Sequence, residues 1–67
     1  MITNEIGINA GRIWNLLNEQ GEHSVKDLKK KLKLSERDLN MAIGWLAREN
    51  NIYQSEKDEV WVVCLKE

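Results

Sequence analysis

Apolar positions in the first third of the chain fall at helical intervals. Ile6, Ala10, Ile13 and Leu17 recur at spacings of four, three and four residues, so at 100° per residue they gather on one face. Leu16 and Trp14 flank that stripe. The pattern predicts a first helix over residues 4–20. Gly21 behind it is suited to the left-handed conformation that ends helices. Gly7 and Gly11 lie inside the pattern and cost up to about 1 kcal/mol each relative to alanine, which makes the start of this helix its weakest boundary.

A second, short helix is expected over Val25–Leu32. Ser24 is its N-cap, with Asp27 as a carboxylate version of the capping box. Val25, Leu28 and Leu32 form its apolar stripe. Lys33, Leu34 and Ser35 make a tight turn. Ser35 then opens a third helix with Asp38 at the N3 position, and Leu39, Ala42, Ile43 and Leu46 form its core face. Asn50 and Asn51 end it, because asparagine tolerates left-handed backbone better than most residues. The period then changes to two. Ile52–Ser55 and Val60–Leu65 read as strands around a polar tip, Glu56-Lys57-Asp58-Glu59,. Two helices joined by a short turn are a helix-turn-helix unit, and a hairpin directly after the third helix makes the arrangement winged. The expected fold is α+β and mainly helical: a winged helix-turn-helix of three helices followed by a β-hairpin wing, one domain over residues 1–67.

The segment Ala42-Ile43-Gly44-Trp45-Leu46-Ala47-Arg48-Glu49-Asn50-Asn51-Ile52, with Asp27-Leu28-Lys29-Lys30-Lys31-Leu32 before it, resembles a family of small stand-alone bacterial winged helix-turn-helix proteins. That family is known mainly as an uncharacterised domain. The run from Gly44 to Glu49 is the most specific piece, and Ile6-Gly7 and Trp14 also fit. The resemblance covers essentially the whole chain. It implies the three-helix winged fold and brings no catalytic residues. Other winged helices are mostly DNA-binding regulators, which is an analogy at the level of fold.

Composition narrows the function classes. With 67 residues, a chain buries only about 60% of the surface it exposes when unfolded. A ligand pocket of about 300–1,000 Å³ would compete with the core, so no small-molecule substrate is expected. Hydrophobic residues make up 42% and charged residues 31%, which fits a compact fold and not a disordered tail. Ten basic residues against eleven acidic ones give a net charge of -1, which excludes a strongly cationic binder. Cys64 and His23 are single examples of their types, so neither a disulfide nor a four-ligand zinc site is expected. Cys64 reads as a small buried hydrophobe and His23 as a solvated loop residue. No nucleotide-cradling glycine loop, supported Cys–His pair or carboxylate cluster points to an enzyme or a cofactor. The N-terminus has no signal-peptide pattern, and no run approaches the roughly 18 apolar residues of a membrane span. A cytoplasmic location is the expectation.

The candidate chemistry is that of binding. Lys26, Lys29, Lys30, Lys31 and Lys33 crowd the second helix and its end. The first helix of a helix-turn-helix pair crosses the phosphate backbone, where ammonium groups displace condensed counterions. The bland alternative is a solvated helix face opposite Leu28 and Leu32. On the third helix, Arg37, Asn40, Met41, Gly44 and Arg48 project away from the core stripe. Arginine and asparagine suit bidentate reading of guanine and adenine, although Glu36, Asp38 and Glu49 at the helix ends would repel phosphates. The wing tip, three acids against one base, argues against a groove contact by the hairpin.

Two readings follow. One is a DNA-binding module with a transcriptional role, the third helix in the major groove and Lys26, Lys29, Lys30 and Lys33 on phosphates of double-stranded DNA. The other is a homodimer or protein-partner module. In the last strand Val60, Val62 and Cys64 line one side while Trp61, Val63 and Leu65 line the other,. Both sides are apolar, and one helical layer covers only one of them; the other meets the N-terminal segment in a monomer, stays exposed, or meets another molecule. Trp14, Trp45, Trp61, Val63 and Leu65 are the candidate interface, since contiguous exposed apolar surface marks interaction sites.

Overall fold

The structure, a computed structural model, describes residues 2–66. Helix α1 spans Ile2–Gln20, strand β1 His23–Ser24, helix α2 Val25–Leu32, helix α3 Glu36–Arg48, strand β2 Ile52–Lys57 and strand β3 Val60–Leu65. The strands form one antiparallel sheet in the order β1-β3-β2. The helices and the hairpin stand where the periodicities place them, with α1 beginning at Ile2 rather than Asn4.

Local chemistry explains the helix boundaries. The Ser24 hydroxyl accepts from the Asp27 N–H at 3.0 Å and the Ser35 hydroxyl from the Asp38 N–H at 3.1 Å, each satisfying a donor that the first helical turn leaves free. The helices end on left-handed residues: Gly21 has φ 83°, Lys33 54° and Asn50 61°. The Gly21 N–H donates to the Leu17 carbonyl at 2.8 Å. Arg12 of α1 donates to the Leu32 carbonyl at 2.7 Å, which occupies an acceptor at the C-terminal end of α2.

Strand β1 is the element that the sequence pattern did not announce. Its two residues pair with β3, His23 opposite Val63 and Ser24 opposite Val62. This makes β3 the central strand. Ser24 ends β1 and also caps α2 in an extended conformation, φ -72° and ψ 155°. The pairing therefore fixes where α2 begins.

One buried cluster holds the layers together. It comprises Ala10, Ile13 and Leu17 of α1, Leu28 of α2, Leu39, Ala42, Ile43 and Leu46 of α3, and Ile52 and Val63 of the sheet, with Leu34 from the turn. Leu34, expected only as a turn residue, is a core residue because the turn folds back under the helices; its N–H reaches the Lys29 carbonyl at 3.2 Å.

Two expectations are corrected here. Directly opposed residues share a sheet face, so His23, Ile52, Gln54, Glu56, Trp61, Val63 and Leu65 lie on one side. That side meets the helices. Val63 is 0% exposed and Leu65 packs against the core, so these two belong to the core and not to a partner surface. The opposite side, with Tyr53, Val60, Val62 and Cys64, is the one left largely open; Tyr53 and Val60 are exposed and Cys64 is half-buried. His23, in turn, is buried at 7% exposure because β1 carries it onto the inner face. Its Nδ1 lies 2.7 Å from the Gly21 carbonyl and its Nε2 2.9 Å from the Lys31 ammonium. An ammonium only donates, so Nε2 accepts and Nδ1 donates to Gly21.

The hairpin is longer than the expected strand of residues 52–55 implies. Pairing continues to Lys57 opposite Val60, leaving Asp58 and Glu59 as a two-residue turn with φ 52° and 66°. Positive φ at both central residues is the hairpin turn whose twist matches the strands, and aspartate tolerates it better than glutamate. The left-handed conformation costs about 1–2 kcal/mol for a residue with a Cβ. Glu59→Gly is accordingly expected to raise the unfolding free energy by about 1 kcal/mol, read from the urea midpoint. A lower midpoint would contradict this account of the turn.

Candidate nucleic-acid interface

Helix α2 is amphipathic in charge as well as in hydropathy. At 100° per residue, Lys26, Lys29, Lys30 and Lys33 fall within a sector of about 100°, and Lys31 falls on the opposite flank. The structure uses that division. Lys31 turns toward α1 and β1, donating to Gln20 Oε1 at 3.2 Å and to His23. All five lysines are exposed. The basic side chains of the last turn also suit the negative end of the α2 dipole.

Helix α3 turns Leu39, Ala42, Ile43 and Leu46 into the core. That orientation brings Arg37, Asn40, Met41, Gly44 and Arg48 outward, and all five are exposed. Arg37 leans on its neighbour, Nη2 lying 3.4 Å from Asp38 Oδ1. Its side chain is 72% exposed, so this surface pair contributes little to stability and leaves the guanidinium accessible. Among the described residues, no side chain stands over Gly44: a Cβ placed there has nothing within 4 Å.

Between these helices lies an open cleft of about 280 Å³, lined by Val25, Lys26 and Lys29 of α2, Glu36, Leu39 and Asn40 of α3, and Trp61 of β3. The cleft unites lysines and a helix-three asparagine that the sequence assigned to one function. It also brings in Trp61 and Glu36, which the sequence did not assign to it. The signal for Trp61 is the strand register: it shares a face with Val63 but lies beyond the core, at the edge of the sheet next to α2. Its Nε1 donates to Gln54 Oε1 at 3.0 Å. The hairpin turn stands beside the same region, with Glu59 and Lys26 lining a second, smaller hollow.

Trp14 and Trp61 line different depressions. Trp14 lines a different depression, about 440 Å³, with Leu17, Asn18, Gly21, Glu22 and the end of β3. This depression is open at the surface, and so it does not compete with the core as an enclosed pocket of that size would. Trp45 lies on the flank of α3 opposite Asn40. Each of the three is roughly half exposed. Among the described residues, no helix is long and apolar enough to cross a membrane.

Comparison with known proteins agrees with this architecture. The chain is 45% identical to the uncharacterised protein MJ1608 of Methanocaldococcus jannaschii, an alignment covering 92% of this chain and 91% of that protein. It superimposes on the solution NMR structure of protein BT2368 from Bacteroides thetaiotaomicron with a TM-score of 0.85 at 35% identity, over 97% of this chain and 79% of the other. The family model described as "Winged helix-turn-helix domain (DUF2582)" matches residues 1–65. With the sheet, the capped helix pair and this match in agreement, the chain belongs to that winged helix-turn-helix family.

Proposed function

We propose that the protein binds double-stranded DNA, with the outer face of α3 toward the major groove and Lys26, Lys29, Lys30 and Lys33 of α2 on phosphates. The observation that supports this reading is the sorting of charge on α2. Lys26, Lys29, Lys30 and Lys33 stand exposed on one sector, while Lys31, also exposed, lies on the other flank and bonds His23 and Gln20. Arg37 and Arg48 suit guanine edges and Asn40 suits adenine, and Gly44 lets the backbone approach closely. Met41 offers apolar contact beside them. The acids of the hairpin turn keep phosphates off the tip, so the contact is confined to α2 and α3.

Fluorescence anisotropy of a labelled mixed-sequence duplex across a salt series tests the reading. Four phosphate contacts give a log–log slope of about -3.6, at about -0.9 per contact. Lys30→Ala is expected to reduce the slope by about 1, and Arg48→Ala to cost about 1–3 kcal/mol on a preferred site. Absence of binding at about 50 mM salt would discard it.

A second reading, homodimerisation, is supported by the open side of the sheet. Tyr53 and Val60 are exposed there next to half-buried Val62 and Cys64, and identical patches pair readily about a two-fold axis. Sedimentation equilibrium at micromolar concentration is then expected to give a dimer mass that Val60→Glu converts to a monomer. A strict monomer mass for the unaltered chain would remove this reading.

A further inference from the structure

We infer that the cleft between α2, α3 and Trp61 is a subsite for one unpaired nucleobase of single-stranded DNA, stacked on Trp61 and selected for an exocyclic amino group. The inference rests on the DNA-binding reading of the same face and adds a substrate form to it. Four observations carry it. First, Trp61 is 46% exposed on the inner sheet face at the cleft, so its ring is accessible to a ligand there. Second, Nε1 donates to Gln54 Oε1 at 3.0 Å, an exposed bond that favours one orientation of the ring. Third, the cleft volume of about 280 Å³ lies just below the range of typical small-molecule sites, about 300–1,000 Å³. That suits a single base. Fourth, the polar lining matches a nucleotide. Lys26 and Lys29 supply cations for its phosphate, and base–aromatic stacking beside a basic groove is how single strands are held.

The lining also sets a preference. Glu36 and Asn40 are one turn apart on the same flank of α3 and both face the cleft,. A carboxylate accepts from the N4 amine of cytosine, and an asparagine pairs with N6 and N7 of adenine. Thymine carries a carbonyl at the matching position, which would face the Glu36 carboxylate with no proton between them. Cytosine and adenine are therefore favoured over thymine.

The test uses the full chain labelled with 5-fluorotryptophan, so that Trp14, Trp45 and Trp61 give separate 19F signals, assigned by Trp→Phe variants. Oligo-dC, oligo-dT and a mixed duplex are titrated in parallel at low salt. The inference expects oligo-dC to move the Trp61 signal more than those of Trp14 and Trp45, and to bind several-fold more tightly than oligo-dT. Trp61→Ala is expected to weaken oligo-dC by about 5- to 150-fold, the range of stacking losses for one base, and Trp61→Phe to restore most of it. Should Trp61→Ala fold poorly, Glu36→Gln and Asn40→Ala are expected to narrow the preference for oligo-dC over oligo-dT in the otherwise intact sheet. Duplex binding with an unmoved Trp61 signal on oligo-dC, or equal affinity for the two oligomers, overturns the inference and leaves the duplex reading standing. Binding of oligo-dC through Trp61 without duplex binding keeps the subsite and removes the duplex reading. No binding of any of the three removes both.

Discussion

The pairing of β1 with β3 is the constraint on which the rest of the molecule depends. It consists of only His23 opposite Val63 and Ser24 opposite Val62. Yet it places β3 between two partners, drives Val63 to complete burial and carries His23 inward to meet Lys31 and Gly21. Because Ser24 also caps α2, the same pairing fixes the start and the rotation of that helix. The rotation in turn decides which lysines are free. Lys31 is turned toward α1 and β1, and Lys26, Lys29, Lys30 and Lys33 lie on the other flank, beside α3. The local hydrogen bonds of a two-residue strand thus propagate to the electrostatics of the α2–α3 surface.

Much of the fold was legible in the sequence because each helix carries its own signals. The four core residues of α3 recur at strict helical spacing, and Ser24, Ser35, Gly21 and Asn50 mark boundaries through side-chain caps or tolerance of left-handed backbone. What the sequence hid was of another kind. Two residues have no period, so β1 left no trace. Without β1, His23 reads as a loop residue, although it is buried. The face of β3 was also hidden: residues 60–65 are apolar on both sides, so alternation had no polar side to mark the solvent. Only packing against the helices shows that Val63 and Leu65 point inward while Tyr53, Val60, Val62 and Cys64 line the open side.

The candidate site was half legible. Helical projection places Arg37, Asn40, Met41, Gly44 and Arg48 outward without any knowledge of tertiary structure, and all five are outward. The cleft depends on register across the sheet, and Trp61 reaches it only because β3 lies beside α2. The net charge of -1 is an average over unlike surfaces. Lysines on one sector of α2 are balanced by acids at the ends of α3 and in the hairpin turn, and Glu59 stands next to Lys26. A nearly neutral chain thereby keeps a local cationic surface. The field is short-ranged, since exposed charges more than about 10 Å apart are screened at ordinary salt, and a small surface of this kind governs contacts only over its own extent.

The central claim is that nucleic acid meets this protein on the α2–α3 side, with the outer sheet face uninvolved. Amide and indole chemical-shift mapping of the 15N-labelled chain with a short duplex at low salt tests it most directly. The account expects the largest shifts at Lys26, Lys29, Lys30, Lys33 and the outward residues of α3, with the Tyr53 and Val62 amides and the Trp14 indole essentially unmoved. Shifts concentrated on Tyr53, Val60, Val62 and Cys64, with α2 and α3 silent, would contradict it.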